Sequence, residues 1–143
     1  MFARHKVEVE FNQIYKTVGL GTTIWSPLAS GVLSGKYNDK FPTDTRLGME
    51  GLDWLKEKNI TIDRIEKVQK LAELSKKIKV SLPVLSISWC LSNKNVSTVI
   101  LGASKKEQLK ENLKSIDYQN IITDEIYLEI ENIIENKPVH PAY

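Results

Sequence analysis

Two short stretches of this chain hold small and polar residues at spacings that suit a phosphate-bearing ligand. The first is WSPLASGVLSGKY, Trp25 to Tyr37. An aromatic such as Trp25 can stack on a planar ring. Ser26, Pro27, Leu28, Ala29 and Ser30 turn away from it, and the small residues Ala29, Ser30 and Gly31 let a ligand backbone or pyrophosphate come close. Lys36 and, further along, Arg46 supply positive charge to match phosphate. The second stretch is LGASKKEQLKEN, Leu101 to Asn112. Gly102 and Ser104 precede a helical pattern, and a helix N-terminus offers free N–H groups and a dipole that favours anions. Ser104 adds a hydroxyl and Lys105 an ammonium. Gln108, Glu111 and Asn112 fall three to four residues apart on one helix face, where polar groups could read a ribose or an adenine. On the residues alone a plainer reading stays open for each. The first stretch is then a tight turn that packs Trp25 into the core. The second is then a helix cap, Ser104 with Glu107, followed by a solvated face.

Other chemistries find no support. His5 and His140 are far apart, and with one cysteine they give no zinc spacing. Gly19-Leu20-Gly21 precedes a strand pattern and lacks the third glycine of a dinucleotide fingerprint. No nucleotide P-loop occurs, and no Ser, His and Asp set carries a nucleophile signature. Cys90 beside Trp89 reads as core packing. Lys76, Lys77 and Lys79 read as a solvated face.

The elements that would position the two stretches follow from periodicity. Val7, Phe11, Ile14, Tyr15 and Val18 mark one face of a helix over residues 7–18, stopped by Gly19. Thr22 to Trp25 reads as a strand and residues 26–47 as a long loop, of the kind that is functional or disordered. Trp54 and Leu55 fall in a short helix. A helix from Thr61 buries Ile65, Val68, Leu71, Ala72, Ser75 and Ile78, and the next starts at Ser81 with Pro83 in its first turn. Val96 to Gly102 reads as a buried strand. A helix follows at Ser104, and a last one opens at Thr123 and buries Ile126, Ile130, Ile133 and Ile134. The order is that of βα units, with parallel strands and helical crossovers. Only two strands are visible, and two parallel strands cannot hide their own edges. The chain therefore reads as a mostly helical part of an α/β fold. Both candidate sites then sit after strand C-terminal ends, where such folds bind ligands. That shared placement tips the balance towards function.

Bulk properties exclude several classes. The chain has 143 residues, with Lys+Arg 20 against Asp+Glu 18 for a net charge of +2, too balanced for a nucleic-acid binder. One cysteine makes no internal disulfide, so a cytoplasmic location is expected. The opening MFARHKVEVE has no apolar core of a signal peptide, and no apolar run is long enough to cross a bilayer. Contact with a membrane is expected only through a partner.

Taken together, WSPLASGVLSGKY, VILGAS and QLKEN resemble the aldo-keto reductases. MFARHKVEVEF, SWCLSN and NKP are similar to the branch that holds the β-subunits of voltage-gated potassium channels and their plant and microbial relatives. The resemblance covers nearly the whole chain. It implies a (β/α)8 barrel of about 250 residues with NADPH at the C-terminal ends of the strands. Residues 1–143 would be its C-terminal part, from the sixth helix through the seventh and eighth strands to the C-terminal helix. Trp25, Ser26, Pro27, Leu28, Ala29, Ser30, Lys36 and Arg46 are then expected along the cofactor pyrophosphate and nicotinamide. Gly102, Ser104, Lys105, Gln108, Glu111 and Asn112 are expected at the adenosine and its 2′-phosphate. Ser30 stands where the animal channel subunits usually have cysteine, and Asp44 where they have a cofactor-covering tyrosine, which weakens the case for a tight loop clamp.

The family's tyrosine acid, with its lysine, aspartate and histidine, lies on the first half of the barrel, and no position here matches it. Alone, the chain is expected to be inactive; the intact protein would reduce aldehydes or ketones. The implied partners are the nicotinamide cofactor, a small carbonyl substrate, a cytoplasmic channel domain and further copies of the chain. The alternatives are a non-catalytic channel-regulatory or binding module, or an inactive truncated fragment.

Overall fold

A computed structural model describes residues 1–140. The chain opens on a π-helical turn, Lys6–Glu10, closed by a hydrogen bond from Phe11 N to Lys6 O at 2.9 Å. Helix α1 (Asn12–Val18) follows and ends on Gly19, whose φ of 66° is the left-handed conformation glycine supplies at little cost. The expected single stripe over residues 7–18 is corrected here. The wide turn inserts a residue and breaks the helical register. Tyr15 is buried, while Ile14 and Val18 are exposed.

Strand β1 (Thr22–Trp25) leads into a segment with 3-10 turns at Ala29–Ser34 and Arg46–Gly48. The segment read as a long loop is tied down. Val32, Leu33, Tyr37 and Leu47 enter the main core, and the rings of Tyr37 and Phe41 stack at 5.4 Å. Then come α2 (Asp53–Asn59), α3 (Ile62–Lys77) and α4 (Leu82–Leu91). Thr61 caps α3 and Ser81 caps α4, each accepting a backbone N–H on its side-chain oxygen. Pro83 sits in the first turn of α4, where a missing N–H costs nothing. Strand β2 (Val96–Ile100), α5 (Lys106–Leu113) and α6 (Asp124–Ile134, capped by Thr123) complete the described chain.

β1 and β2 form a two-stranded parallel sheet, with Trp25 opposite Ile100 at its C-terminal end. At the other end Asn95 O accepts from Thr22 N and Oγ. The register slips by one residue between Thr22 and Thr23. A Cβ on Gly21 would run into the Ser97 hydroxyl, so glycine lets the two strands approach closely beside that irregularity.

The helices cover one face of the sheet. Ile24 and Val99 pack on the core, while Thr23, Trp25, Thr98 and Ile100 are exposed. The expectation of a buried second strand is therefore corrected. β2 has one paired neighbour and one covered face among the described residues, so only Val96 and Val99 are partly covered.

The core lies within the helical layer. Val68, Leu71, Leu85, Ile130 and Ile134 are 1% exposed or less. Leu74 joins them although the helical face read from the sequence omitted it. Cys90 is buried and reduced, in keeping with core packing. No described helix is long and apolar enough to cross a membrane.

Candidate functional site

Because Trp25 and Ile100 are register partners, the two candidate stretches leave the sheet at the same end. Trp25 is 78% exposed, which rules out the reading that the turn packs it into the core. Behind it the backbone is held in an uncommon form. Ser26, Ala29 and Ser30 have φ of 53°, 48° and 57°, and Gly31 follows at 94°. Non-glycine residues pay roughly 1–2 kcal/mol each for that region. Three within five positions need a rigid surround, and such strain gathers at ligand-binding turns. Two local hydrogen bonds help: Ser30 N donates to Ser26 Oγ at 3.3 Å and Ser34 Oγ donates to Gly31 O at 2.7 Å. Pro27 is buried, and Leu28 and Ala29 pack partly on the core.

Lys36 folds back over this turn. A Cβ on Gly31 would meet Lys36 Cε at 2.6 Å and Nζ at 2.8 Å, and the ammonium lies 5.3 Å from the centre of the Tyr37 ring. Glycine at 31 thus leaves room for the lysine to lie against the turn. Arg46 is exposed at the start of its 3-10 turn. That turn is closed by Thr45 Oγ donating to Pro42 O, and a Cβ on Gly48 would strike Thr43 O at 2.3 Å. Asp44 is exposed in the same bend.

At the second stretch the expected cap is wrong in detail. Lys105, not Ser104, is the N-cap of α5, and Gln108 rather than Glu107 reaches back. Gln108 Oε1 accepts from Ser104 N at 3.0 Å, Ser104 Oγ at 3.2 Å and Lys105 N at 3.3 Å. With Lys105 as the N-cap, Gln108 holds the third helical position, from which a side chain reaches back to the cap, and Glu107 stays exposed to solvent. The oxygen of Gln108 stands where three donors converge, the place an anion's oxygen would take. Gly102 is exposed with open space around it.

Glu111 and Asn112 share the helix but not the surroundings. Glu111 pairs with Lys114 at 2.6 Å. That ammonium, and then the Ser81 hydroxyl, hold its carboxyl below the usual range. Asn112 is buried, and its carbonyl accepts from Ser115 Oγ at 2.7 Å. The structure therefore brings Gly102, Ser104, Lys105 and Gln108 together at the open end, and turns Asn112 inward.

The donor set suits a dinucleotide phosphate: two exposed cations on one loop, a lysine and a serine at a helix start, and an exposed indole. Among the described residues no group of His, Cys, Asp and Glu could hold a metal ion.

A cavity of about 320 Å³ lies elsewhere, lined by Glu8, Trp89, Ser92, Asn93, Ile122, Asp124 and Tyr127. Ser92 and Asn93 precede β2, so this hollow opens at the N-terminal end of the strands, away from the candidate site. Sequence reasoning missed the cluster beside it. Arg4 is 5% exposed, and its Nη1 donates to both oxygens of Glu131 at 2.7 and 2.8 Å. Its Nε donates to Glu8 at 2.7 Å, its Nη2 to Tyr127 at 3.1 Å, and its guanidinium lies over Trp89. Arg4 and Glu8 are an i, i+4 pair, but no local spacing could have joined Arg4 to Tyr127 and Glu131, more than 120 residues on.

The family model described as "Aldo/keto reductase family" matches residues 1–135. A protein of Oryza sativa subsp. japonica named as a probable voltage-gated potassium channel subunit beta is 45% identical over 139 residues, 96% of this chain and 42% of its own length. One of the same name from Arabidopsis thaliana is 44% identical over 142 residues, 99% of this chain and 43% of its own length. The chain thus spans less than half the length of these relatives. With that match over almost all of its described residues, the chain belongs to the aldo/keto reductase family.

Proposed function

We propose that residues 1–143 are the C-terminal part of an aldo-keto reductase barrel, from the sixth helix to the C-terminal helix, and that they carry one wall of an NADPH site. The observation that carries this reading is the pairing of Trp25 with Ile100, which sets both candidate loops at one end of a parallel sheet. NADPH, when bound, supplies a hydride for reduction of a carbonyl. This chain's own residues bind and orient it. Trp25 with the turn Ser26, Pro27, Leu28, Ala29 and Ser30 lies along the nicotinamide side, and Lys36 and Arg46 neutralise the pyrophosphate. Gly102 leaves room for the adenosine. Ser104 and Lys105 take its 2′-phosphate, with Gln108 and Glu111 reading the rest. Gln108 must release the helix N-terminus for this to happen. Asn112, buried, supports the helix face behind them.

No residue here takes the tyrosine-acid role, so hydride transfer to an aldehyde or ketone belongs to the complete, cytoplasmic protein. The test is a titration of the purified chain with NADPH, read by tryptophan fluorescence in a Trp54→Phe background, since Trp54 is also exposed. A quench that saturates, prefers NADPH over NADH and disappears in Trp25→Phe supports the reading. No change up to millimolar cofactor, with the chain alone and in the complete protein, overturns it.

A second reading is favoured by the naming of the two relatives. The intact protein, as a homo-oligomer, would then dock on a cytoplasmic potassium channel domain and sense the cofactor rather than turn over substrate. Binding of the intact protein to such a domain, in NADPH and in NADP⁺, tests it.

A further inference from the structure

The hollow at the N-terminal end of the strands has no part in the cofactor reading, yet its lining is that of a binding site. At about 320 Å³ it falls within the size range of small-molecule pockets. Glu8 and Asp124 line it with carboxylates, and no lysine or arginine lines it among the described residues. Arg4, in the cluster beside it, is already engaged. Its Nη1 donates to both oxygens of Glu131 and its Nε to one oxygen of Glu8. Asp124 is exposed and adds a further negative charge, so the balance favours a cation. Trp89, Ile122 and the ring of Tyr127 make apolar walls. Neutral donors complete the lining. Trp89 is 7% exposed, and its indole N–H finds no acceptor among the described residues. A buried donor beside a cavity is satisfied by an acceptor held within it. Tyr127 Oη accepts from Arg4, which leaves its own proton to donate. Burial holds that phenol above the ordinary tyrosine range, so the proton stays. Asn93 Oδ1 accepts from Asn95 N at 2.9 Å, which leaves the amide NH2 as its donor side.

We propose that this hollow binds a small organic amine: an ammonium that pairs with Glu8 and Asp124, on an apolar body that carries a neutral oxygen to the donors of Trp89, Tyr127 and Asn93. An organic anion would meet two carboxylates and no lining cation. A metal ion fits no better, since no group of His, Cys, Asp and Glu among the described residues could hold one. An ammonium gains charge-assisted hydrogen bonds to the carboxylates. The apolar walls then select an amine with a body over a small inorganic cation. None of the lining residues belongs to the two loops of the cofactor reading, so the site is tested independently of it.

The test titrates the purified chain with three probes that share one aromatic body. Tyramine carries the ammonium and a hydroxyl, phenethylamine lacks the hydroxyl, and p-hydroxyphenylpropionate has a carboxylate in place of the ammonium. Calorimetry measures affinity. Nitrogen-edited NMR follows the Trp89 indole N–H, identified by its loss in Trp89→Phe. Tyramine is expected to bind about tenfold more tightly than either analogue and to move the Trp89 resonance. Asp124→Asn alters an exposed side chain, so circular dichroism and melting stay near those of the parent while tyramine affinity falls about tenfold. Tyr127→Phe removes one donor and should narrow the gap between tyramine and phenethylamine. Should Asp124→Asn melt early, the analogue series and Tyr127→Phe still decide. The proposal is overturned if millimolar tyramine gives neither heat nor a shift at Trp89. It is equally overturned if the carboxylate probe binds as well as the amine, if a folded Asp124→Asn binds tyramine undiminished, or if only the resonances of Trp25 and Trp54 move, since the amine then sits elsewhere.

Discussion

Gln108 is the residue at which cap and ligand readings can be separated. Its carbonyl oxygen holds three donors at the start of α5, so Gln108→Ala removes a cap and is expected to cost about 1 kcal/mol of stability. Gln108→Glu keeps an acceptor there and adds a negative charge that the helix dipole favours. If the site serves only as a cap, that variant is neutral or slightly stabilising and nothing else changes. If it takes a phosphate, the carboxylate competes with it, and NADPH affinity of the complete protein falls about tenfold, or 1.4 kcal/mol. Calorimetric binding beside a thermal melt decides between them. Gly31 gives a second test in the other loop. Gly31→Ala meets both a φ of 94° and the Lys36 side chain, so it should destabilise the turn by roughly 1–2 kcal/mol and weaken cofactor binding by displacing the lysine. The type and spacing of these residues were legible in the sequence. Which side chain capped α5 was not, because Ser104, Glu107 and Gln108 all fit a cap and the choice depends on the approach of the chain.

At the scale of elements, local signals were read well wherever a single residue decides the backbone. Gly19 stops α1, and Thr61, Ser81 and Thr123 start α3, α4 and α6, as their side chains dictate. What joins elements was illegible. The Arg4 to Glu131 pair spans 127 residues and has no local signature. It also carries a sharp prediction. Arg4 is almost without solvent contact, and Arg4→Met strands the Glu131 carboxylate, whose side chain is 9% exposed. Leaving a buried charge unpaired costs about 3–5 kcal/mol, so the variant should lose much of its stability in urea. Arg4→Met with Glu131→Met removes the more buried pair, leaves unpaired only Glu8, which is 19% exposed, and should recover most of it. If the double variant is no better than the single one, the pair is not what joins the first turn to α6. Buried on α4, Cys90 makes a pH prediction for the same layer. Burial pushes its thiol above the ordinary cysteine value. A raised folded value means stability is whole below about pH 8.5, the unfolded value, and is lost as pH climbs through the folded one. Cys90→Ser should flatten that alkaline fall in a melt series, and native Cys90 should resist alkylation at neutral pH.

For the whole molecule, the proposed cofactor site makes the open sheet the feature that limits binding. β1 and β2 present Trp25 and Ile100 at one end, and on the proposed reading the other walls around a dinucleotide would come from strands additional to the two among the described residues. Take a complete site that binds at about 1 μM, near −8 kcal/mol. If this chain supplies half of the contacts, about −4 kcal/mol remains, or a millimolar Kd. Preorganisation shifts that figure in a known direction. The strained turn at Ser26 to Ser30 is already set by Val32, Leu33 and Leu47 in the core, so little ordering is left to oppose binding there. Gln108 works the other way, since its three hydrogen bonds must open before a phosphate enters. The two effects fall on different halves of the cofactor. A ligand that carries only the nicotinamide and pyrophosphate should therefore lose less affinity, on passing from the complete protein to this chain, than one that carries only the adenosine 2′-phosphate. Parallel titrations of both fragments against both proteins measure that difference, and equal losses would show that neither loop is preset.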